Sequence, residues 1–379
     1  MIYLDNAATG GKKPERVIKA VERALRHHCA NPGRSGHTAA LAAGEIVFDC
    51  RRKTARFFGA EQPEHVCFTS GCTAALNMAL KGILQKGDRI VFSSMEHNAV
   101  VRPLHSLKEL GVFADEAAVT GDSAATLENF KEAIKPETKA IVCTHASNVT
   151  GEIMPIAELG ELCRQRGLIF IVDAAQTAGV LPIHMEKAGI HILCAAPHKG
   201  LLSPMGLGLL ISRVPLPQTI IQGGTGSLSL SPEQPQELPE RIESGTLNLP
   251  AIAGLSAALD ILASKGTDAS YRRELNLARF AYKSLASIPR VTLYTPPPEY
   301  GKNVPVISFN ISGLGSAETA EKLSRMGIAT RGGLHCAPKA HKTLGTEDIG
   351  TVRISFSYFN TMAEVAALTS AVRQISKTK

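Results

Sequence analysis

The sequence predicts an α/β fold in three layers, a mostly parallel sheet with helices on both faces, followed by a smaller α+β domain. Three observations carry this. Apolar runs of strand length recur at 66–69, 90–93, 140–144, 168–172, 190–195 and 208–211. Stretches with helical periodicity, such as 74–84 and 156–166, separate most of them, and alternation of that kind gives parallel strands joined by crossover helices. After a long interruption a second pattern begins, with a strand at 306–311, a helix at 317–326, a strand at 351–356 and a helix at 362–375.

Taken in chain order, the run 66–69 leads into Thr69-Ser70-Gly71-Cys72-Thr73, a turn that opens the helix 74–84. Its free amides and hydroxyls suit either a phosphate or an ordinary cap made by Ser70 or Thr73. The stretch 222–239 is rich in Gly, Ser and Pro and has neither periodicity, which predicts an exposed loop or an arm reaching a partner subunit. Helices at 249–263 and 271–285 lead into the second unit, where a Gly-rich turn surrounds Cys336. The expected division is a large domain over 11–255 and a small domain over 256–379 that also takes residues 1–10.

A chain of 379 residues with 44% hydrophobic content can bury two cores without help from disulfides. No apolar run approaches the roughly 18–20 residues of a membrane span, and the N-terminus lacks the features of a signal peptide, so a cytoplasmic protein without membrane contact is expected. The eight cysteines contain no CxxC pair, which argues against a zinc site and against a disulfide framework. The net charge of +7 is spread along the chain, and only the tail 377–379 is locally basic, a pattern that speaks against nucleic-acid binding.

In a parallel sheet the chemistry gathers just beyond the strand ends. Thr69-Ser70-Gly71, Glu96-His97, Ser147-Asn148, Asp173 and His198-Lys199 all stand there. Lys199 follows Asp173 by 26 residues. The pair suggests pyridoxal 5'-phosphate, because a Schiff-base lysine needs a rigid, desolvated perch and the pyridine nitrogen needs a fixed carboxylate. Taken singly, each residue also has a plain reading. Lys199 and Asp173 suit a surface loop and a strand end, His97 suits a hydrogen-bonded ring as well as a stacking one, and Asn148 suits a turn as well as a cofactor donor.

Together, Leu4-Asp5-Asn6-Ala7-Ala8-Thr9, Glu96-His97-Asn98-Ala99, His145-Ala146-Ser147-Asn148, Val172-Asp173-Ala174-Ala175-Gln176, His198-Lys199, Glu243-Ser244-Gly245-Thr246 and Arg331-Gly332-Gly333-Leu334-His335-Cys336-Ala337-Pro338 resemble one family in order along nearly the whole chain. It is the cysteine desulfurase and selenocysteine lyase branch of the class V aminotransferases, which are fold-type I pyridoxal phosphate enzymes. The resemblance implies that Lys199 carries the cofactor, Asp173 pairs with its ring nitrogen, Gln176 and Asn148 address its phenolate oxygen, and His97 stacks on its ring. It implies phosphate contacts from Cys72, Thr73 and His198, with Thr246 supplied by the second subunit of a homodimer with shared active sites. Asn148, Arg331 and Arg353 would hold the substrate, L-cysteine or L-selenocysteine, with Arg353 gripping its carboxylate.

Cys336 would choose the reaction. Its thiolate would take the substrate sulfur, leaving L-alanine and a persulfide for a sulfur-acceptor protein, with Arg331 and His335 as neighbours that favour the thiolate and a flexible loop that lets it move. A selenocysteine lyase, a class V aminotransferase and a sulfur-relay scaffold without cofactor are the competing readings. Two departures stand out. Ala196 replaces a serine that relatives often place two residues before the histidine-lysine pair, and Leu334 stands where many have a second histidine.

Overall fold

Strands buried on both faces need no polar alternation, so they read as unbroken apolar runs. Thr138–Thr144, Ile169–Asp173, Ile192–Ala195 and Gly208–Ser212 are of this kind. In the computed structural model, which describes residues 1–33 and 35–377, they form the middle of a seven-stranded sheet. Its order is Val66–Thr69, Gly208–Ser212, Ile192–Ala195, Ile169–Asp173, Thr138–Thr144, Arg89–Ser93, Phe113–Ala117. All run one way except Gly208–Ser212, which is antiparallel to both neighbours. Thr378 and Lys379 of the basic tail lie outside the described residues.

The two faces of this sheet feed two cores, as the two-residue period of a strand requires. Phe170 and Val172 point into a core with Phe58, Leu159 and Leu255. Ile171, between them, points into the other, with Leu76, Leu80 and Leu104. The helices Thr38–Phe58, Ile156–Arg166 and Leu249–Lys265 cover the first face, and Cys72–Ile83 and Asn98–Glu109 cover the second. Phe113–Ala117, Phe-Ala-Asp-Glu-Ala, is only partly buried at the sheet edge, so its polar residues hide it from a search for apolar runs. Asp115 accepts from Arg89 at 2.6 Å and from Lys135 at 2.8 Å there.

The C-terminal part builds an antiparallel sheet in the order Arg331–Gly333, Thr351–Ser355, Val306–Ile311, Val291–Leu293, with its own core of Phe309, Ile354, Leu323 and Leu368. Leu4 belongs to that core, Ile2–Tyr3 pairs with Ile328–Ala329, and Asp5 bridges to Ser355. The first residues of the chain thus brace the last sheet. Helix Leu249–Lys265 stays in the first core as far as Leu262, and the next helix joins the C-terminal core from Leu277 onward. Among the described residues no single helix is long and apolar enough to cross a membrane. The pair Leu249–Lys265 and Thr267–Ala286 passes together on length and composition, but it is bent by 85° and the first helix is packed into the core.

Candidate active site

The strands that share a direction deliver Thr69, Thr144, Asp173 and Ala195 to one edge of the sheet. A cavity of about 580 Å³ opens beside that edge, in the size range of small-molecule sites. It is lined by Asp173, Lys199, His97, Asn148, Arg331 and Arg353, and also by Cys72, Thr73, Gln176 and His198. Two expected residues stand apart. Thr246 is exposed and does not line the cavity, and Cys336 lines an adjoining hollow.

Lys199 projects from a tight turn after Ile192–Ala195. The turn needs Gly200, since a Cβ there would meet the Ala178 carbonyl oxygen at 2.6 Å. Burial, followed by the charge of Arg353, pushes the Lys199 ammonium down to about 8, with Asp173 opposing. Asp173 is itself buried, which raises its carboxyl, while its Oδ1 accepts from the Ala175 amide at 2.9 Å and from the Cys72 thiol at 3.7 Å. A desolvated amine and a desolvated carboxylate therefore face one space. Such a pair suits an imine-forming lysine and a counter-ion for a ring nitrogen.

At another wall the helix Cys72–Ile83 begins after Gly71 with no side-chain cap. Its first helical bond is from the Ala75 amide to the Gly71 carbonyl, so the amides of Cys72, Thr73 and Ala74 lack backbone acceptors among the described residues. The capping by Ser70 or Thr73 that the turn permits is not made. An uncapped helix start at a cavity wall, with the Thr73 hydroxyl beside it, fits a phosphate group. His198 lines the same cavity, and its Nδ1 is 3.0 Å from the Thr9 hydroxyl, while its carbonyl accepts from Lys13 Nζ at 2.7 Å. Ala196 is buried in the wall and brings no polar group.

His97 does two things at once. Its Nδ1 accepts from the Ala99 amide at 3.0 Å and so caps the helix Asn98–Glu109, while its ring lines the cavity. Burial and the charges of Lys199, Arg331, Arg353 and Arg102 push it down to about 4, so the ring is neutral with its proton on Nε2. Next to it in the chain, Glu96 is fully buried and raised to about 8, chiefly by burial. Its Oε1 accepts from the Ser93 hydroxyl at 2.5 Å and the Thr144 amide at 2.6 Å. That carboxyl ties two strand ends together and fixes the backbone that carries His97. The role of Glu96 lies in its burial and its partners, which no local pattern of residues reveals.

Arg331 and Arg353 are direct cross-strand partners in the antiparallel sheet, and both line the cavity. Like charges opposite one another are unfavourable, so the pair calls for an anion. Arg353 is 1% exposed, which excludes a strand-edge surface charge. It donates to Asp5 Oδ1 at 2.9 Å and to the Asn148 carbonyl at 3.0 Å, and its Nε has no partner among the described residues. Asp5, whose role no local pattern reveals, is thus the one carboxylate among the described residues that anchors this guanidinium.

The Cys336 loop is held more firmly than its glycines suggest. Asn148 Nδ2 donates to the His335 carbonyl at 2.8 Å, and the Asn98 amide donates to the Cys336 carbonyl at 2.7 Å. Both His335 and Cys336 are left-handed, with φ of 51° and 57°, a conformation that costs roughly 1 kcal/mol for a residue with a side chain. The thiol of Cys336 is exposed and lies 3.7 Å from Arg331 Nη2. His335 does not add charge here, contrary to expectation. It is buried, pushed down to about 2 chiefly by burial, and bonded through Nε2 to the Thr351 carbonyl at 3.0 Å. Gln176 Nε2 is likewise bonded to the Ala7 carbonyl at 3.1 Å, although it and Asn148 each keep a second amide hydrogen for a ligand.

Comparison with known proteins accords with this arrangement. The aminotransferase class-V profile matches residues 2–368. A probable cysteine desulfurase from Halalkalibacterium halodurans is 31% identical, over 100% of this chain and 93% of its own. The apo structure of a cysteine desulfurase from Thermococcus onnurineus NA1 superposes with a TM-score of 0.90 at 31% identity, covering 99% of this chain and 94% of that one. A cysteine desulfurase from Escherichia coli superposes with a TM-score of 0.86 at 28% identity, covering 98% and 94%. With the match running nearly end to end in sequence and fold, the chain belongs to the class-V aminotransferase family, in the branch that contains the cysteine desulfurases.

Proposed function

We propose that the protein is a cysteine desulfurase that converts L-cysteine to L-alanine and leaves a persulfide on Cys336. The observation that carries this is the contact of Arg331 with the Cys336 thiol at 3.7 Å, which sets a sulfur nucleophile at the edge of the cavity that contains Lys199 and Asp173. An aminotransferase has no use for that thiol.

Members of this family depend on pyridoxal phosphate, and the residues present fit it. Lys199 would hold it covalently, Asp173 would pair with its ring nitrogen, and the amides of the helix start with Thr73 and His198 would hold its phosphate. The neutral ring of His97 would cover one face of the cofactor ring. Bound there, the cofactor supplies an electron sink that makes the α-proton of the substrate acidic.

The protein's own groups do the rest. Arg353, with its unpartnered Nε, and Arg331 hold the substrate carboxylate, which also relieves their mutual repulsion. Lys199 Nζ, lowered to about 8 by its burial, is the base that takes the α-proton and returns a proton to the product. The Cys336 thiolate attacks the substrate sulfur, so an S–S bond forms as the substrate's Cβ–S bond breaks and its electron pair passes to the carbon skeleton. The balance is L-cysteine plus one thiol giving L-alanine plus one persulfide. Dimerisation completes the picture. The exposed Thr246 would reach the phosphate of the partner's site, carried by the segment whose Leu228 and Leu230 are 67% and 102% exposed.

The test is alanine release from L-cysteine and from L-selenocysteine by the native protein and by Cys336→Ser. The reading expects native activity on cysteine and a loss of at least about 100-fold in the variant, the scale expected for removing a covalent nucleophile. Activity on selenocysteine alone would reassign the protein as a selenocysteine lyase. Borohydride reduction and peptide mapping should mark Lys199 with a pyridoxyl group, and no label there would end the enzyme reading.

A further inference from the structure

Beside the cavity lies a second hollow of about 370 Å³, walled by the helices Cys72–Ile83 and Asn98–Glu109. The two abut, because Thr73, Asn77 and His97 line both. Cys336 lines the hollow and not the cavity. The hollow is also cationic. Lys81 and Arg102 line it, no carboxylate does, and neither cation has an ion pair or hydrogen bond among the described residues. Elsewhere surface cations readily find carboxylates, as Lys131 does with Glu128 and Lys322 with Glu318.

We propose that this hollow is an unloading site, where a small thiol bearing a carboxylate binds Lys81 and Arg102 and takes the sulfane sulfur from Cys336. The inference rests on the persulfide reading above and adds to it the acceptor's chemical class and its route. In the transfer the acceptor thiolate attacks the outer sulfur of the persulfide, a new S–S bond forms on the acceptor, the Cys336 Sγ–S bond breaks, and Cys336 leaves as thiolate. No electrons are gained or lost overall, and no further reagent is needed. A hollow of this volume is within the range of small-molecule sites, roughly 300–1,000 Å³. Two faces for one cysteine also solve a conflict. An anionic acceptor entering the main cavity would compete with substrate for Arg331 and Arg353, whereas one held by Lys81 and Arg102 meets the same sulfur from outside.

The experiment loads the holoenzyme with L-cysteine, removes excess substrate, and follows discharge of the persulfide by 3-mercaptopropionate and by uncharged 2-mercaptoethanol. Native protein is compared with Lys81→Gln/Arg102→Gln. The proposal expects the variant to lose about tenfold in discharge by the anionic thiol, as electrostatic recruitment predicts, with the neutral thiol unchanged. Added salt should slow the anionic thiol alone in the native protein. Equal discharge of both thiols by native protein and variant overturns the proposal. So does a parallel slowing of both thiols and of iodoacetamide alkylation, since the cations would then act on Cys336 itself. Mass analysis of the Cys336 peptide separates the two layers: persulfide without charge selectivity overturns the hollow alone, whereas no added sulfur overturns the persulfide reading and the hollow with it.

Discussion

Arg353 heads the fully buried side chains by volume, and a buried guanidinium is tolerated only with partners. Asp5 is its one carboxylate partner among the described residues, at 2.9 Å. Asp5→Asn should therefore raise KM for L-cysteine about tenfold while kcat changes less than about twofold, because the guanidinium loses its anchor and not its charge. Steady-state alanine formation checks this, and an equal fall in kcat with KM untouched would refute a positioning role. Lys199 makes a pH prediction. Its amine is lowered to about 8, and only the unprotonated form adds to an aldehyde, so uptake of pyridoxal phosphate by cofactor-free protein should rise through that pH. A flat uptake rate across the window would contradict it. At this scale the sequence was informative about residue types at strand ends, as with Asp173 and Lys199. It was silent on Glu96 and Asp5, whose roles come from burial and from bonds that reach as far as Thr144 and Arg353.

The helix Asn98–Glu109 starts where His97 caps it and where its first amide holds Cys336, so one element positions both a cavity wall and the Cys336 loop. Asn148→Ala removes the second tether. Amides of the Cys336 loop should then exchange hydrogen about fivefold faster, the equivalent of one hydrogen bond of roughly 1 kcal/mol, and unchanged exchange would show that the loop is held elsewhere. Helix Thr267–Ala286 carries Glu274, buried and raised to about 8 by that burial, from an ordinary 4.5. Between those values the native protein keeps a proton that the unfolded chain has lost, so stability falls as pH rises through the window. Glu274→Gln should gain about 1–3 kcal/mol over the native protein near pH 8 and nothing near pH 4, measured by denaturant titration at both. Elements with one dominant period were legible, and the strand at 306–311 is found where its apolar run lies. The edge strand Phe113–Ala117 was not, since its neighbour and not its composition makes it a strand.

On the scale of the whole molecule, exposed Leu228 and Leu230 sit in the long segment that leads to Thr246, a placement that suits a dimer arm better than a solvated loop. Leu228→Asp/Leu230→Asp should convert a dimer to monomers in sedimentation velocity and weaken cofactor retention. A native monomer that holds cofactor equally well would remove Thr246 from the site. The cores show how the parts combine, because Leu4 enters the core of the C-terminal sheet and Asp5 reaches Arg353 across 348 positions of sequence. The sequence by itself determined the parallel sheet, the residues at its strand ends, the lysine and aspartate that suit one cofactor, and the cysteine that suits sulfur chemistry, because period and residue type are local properties. Only the tertiary structure decided that Arg331 and Arg353 face each other, that His335 is neutral, that the cysteine loop is tethered at two carbonyls, and that Cys336 looks into a cationic hollow. Those features depend on register, burial and distance between segments far apart in the chain, which no local pattern encodes.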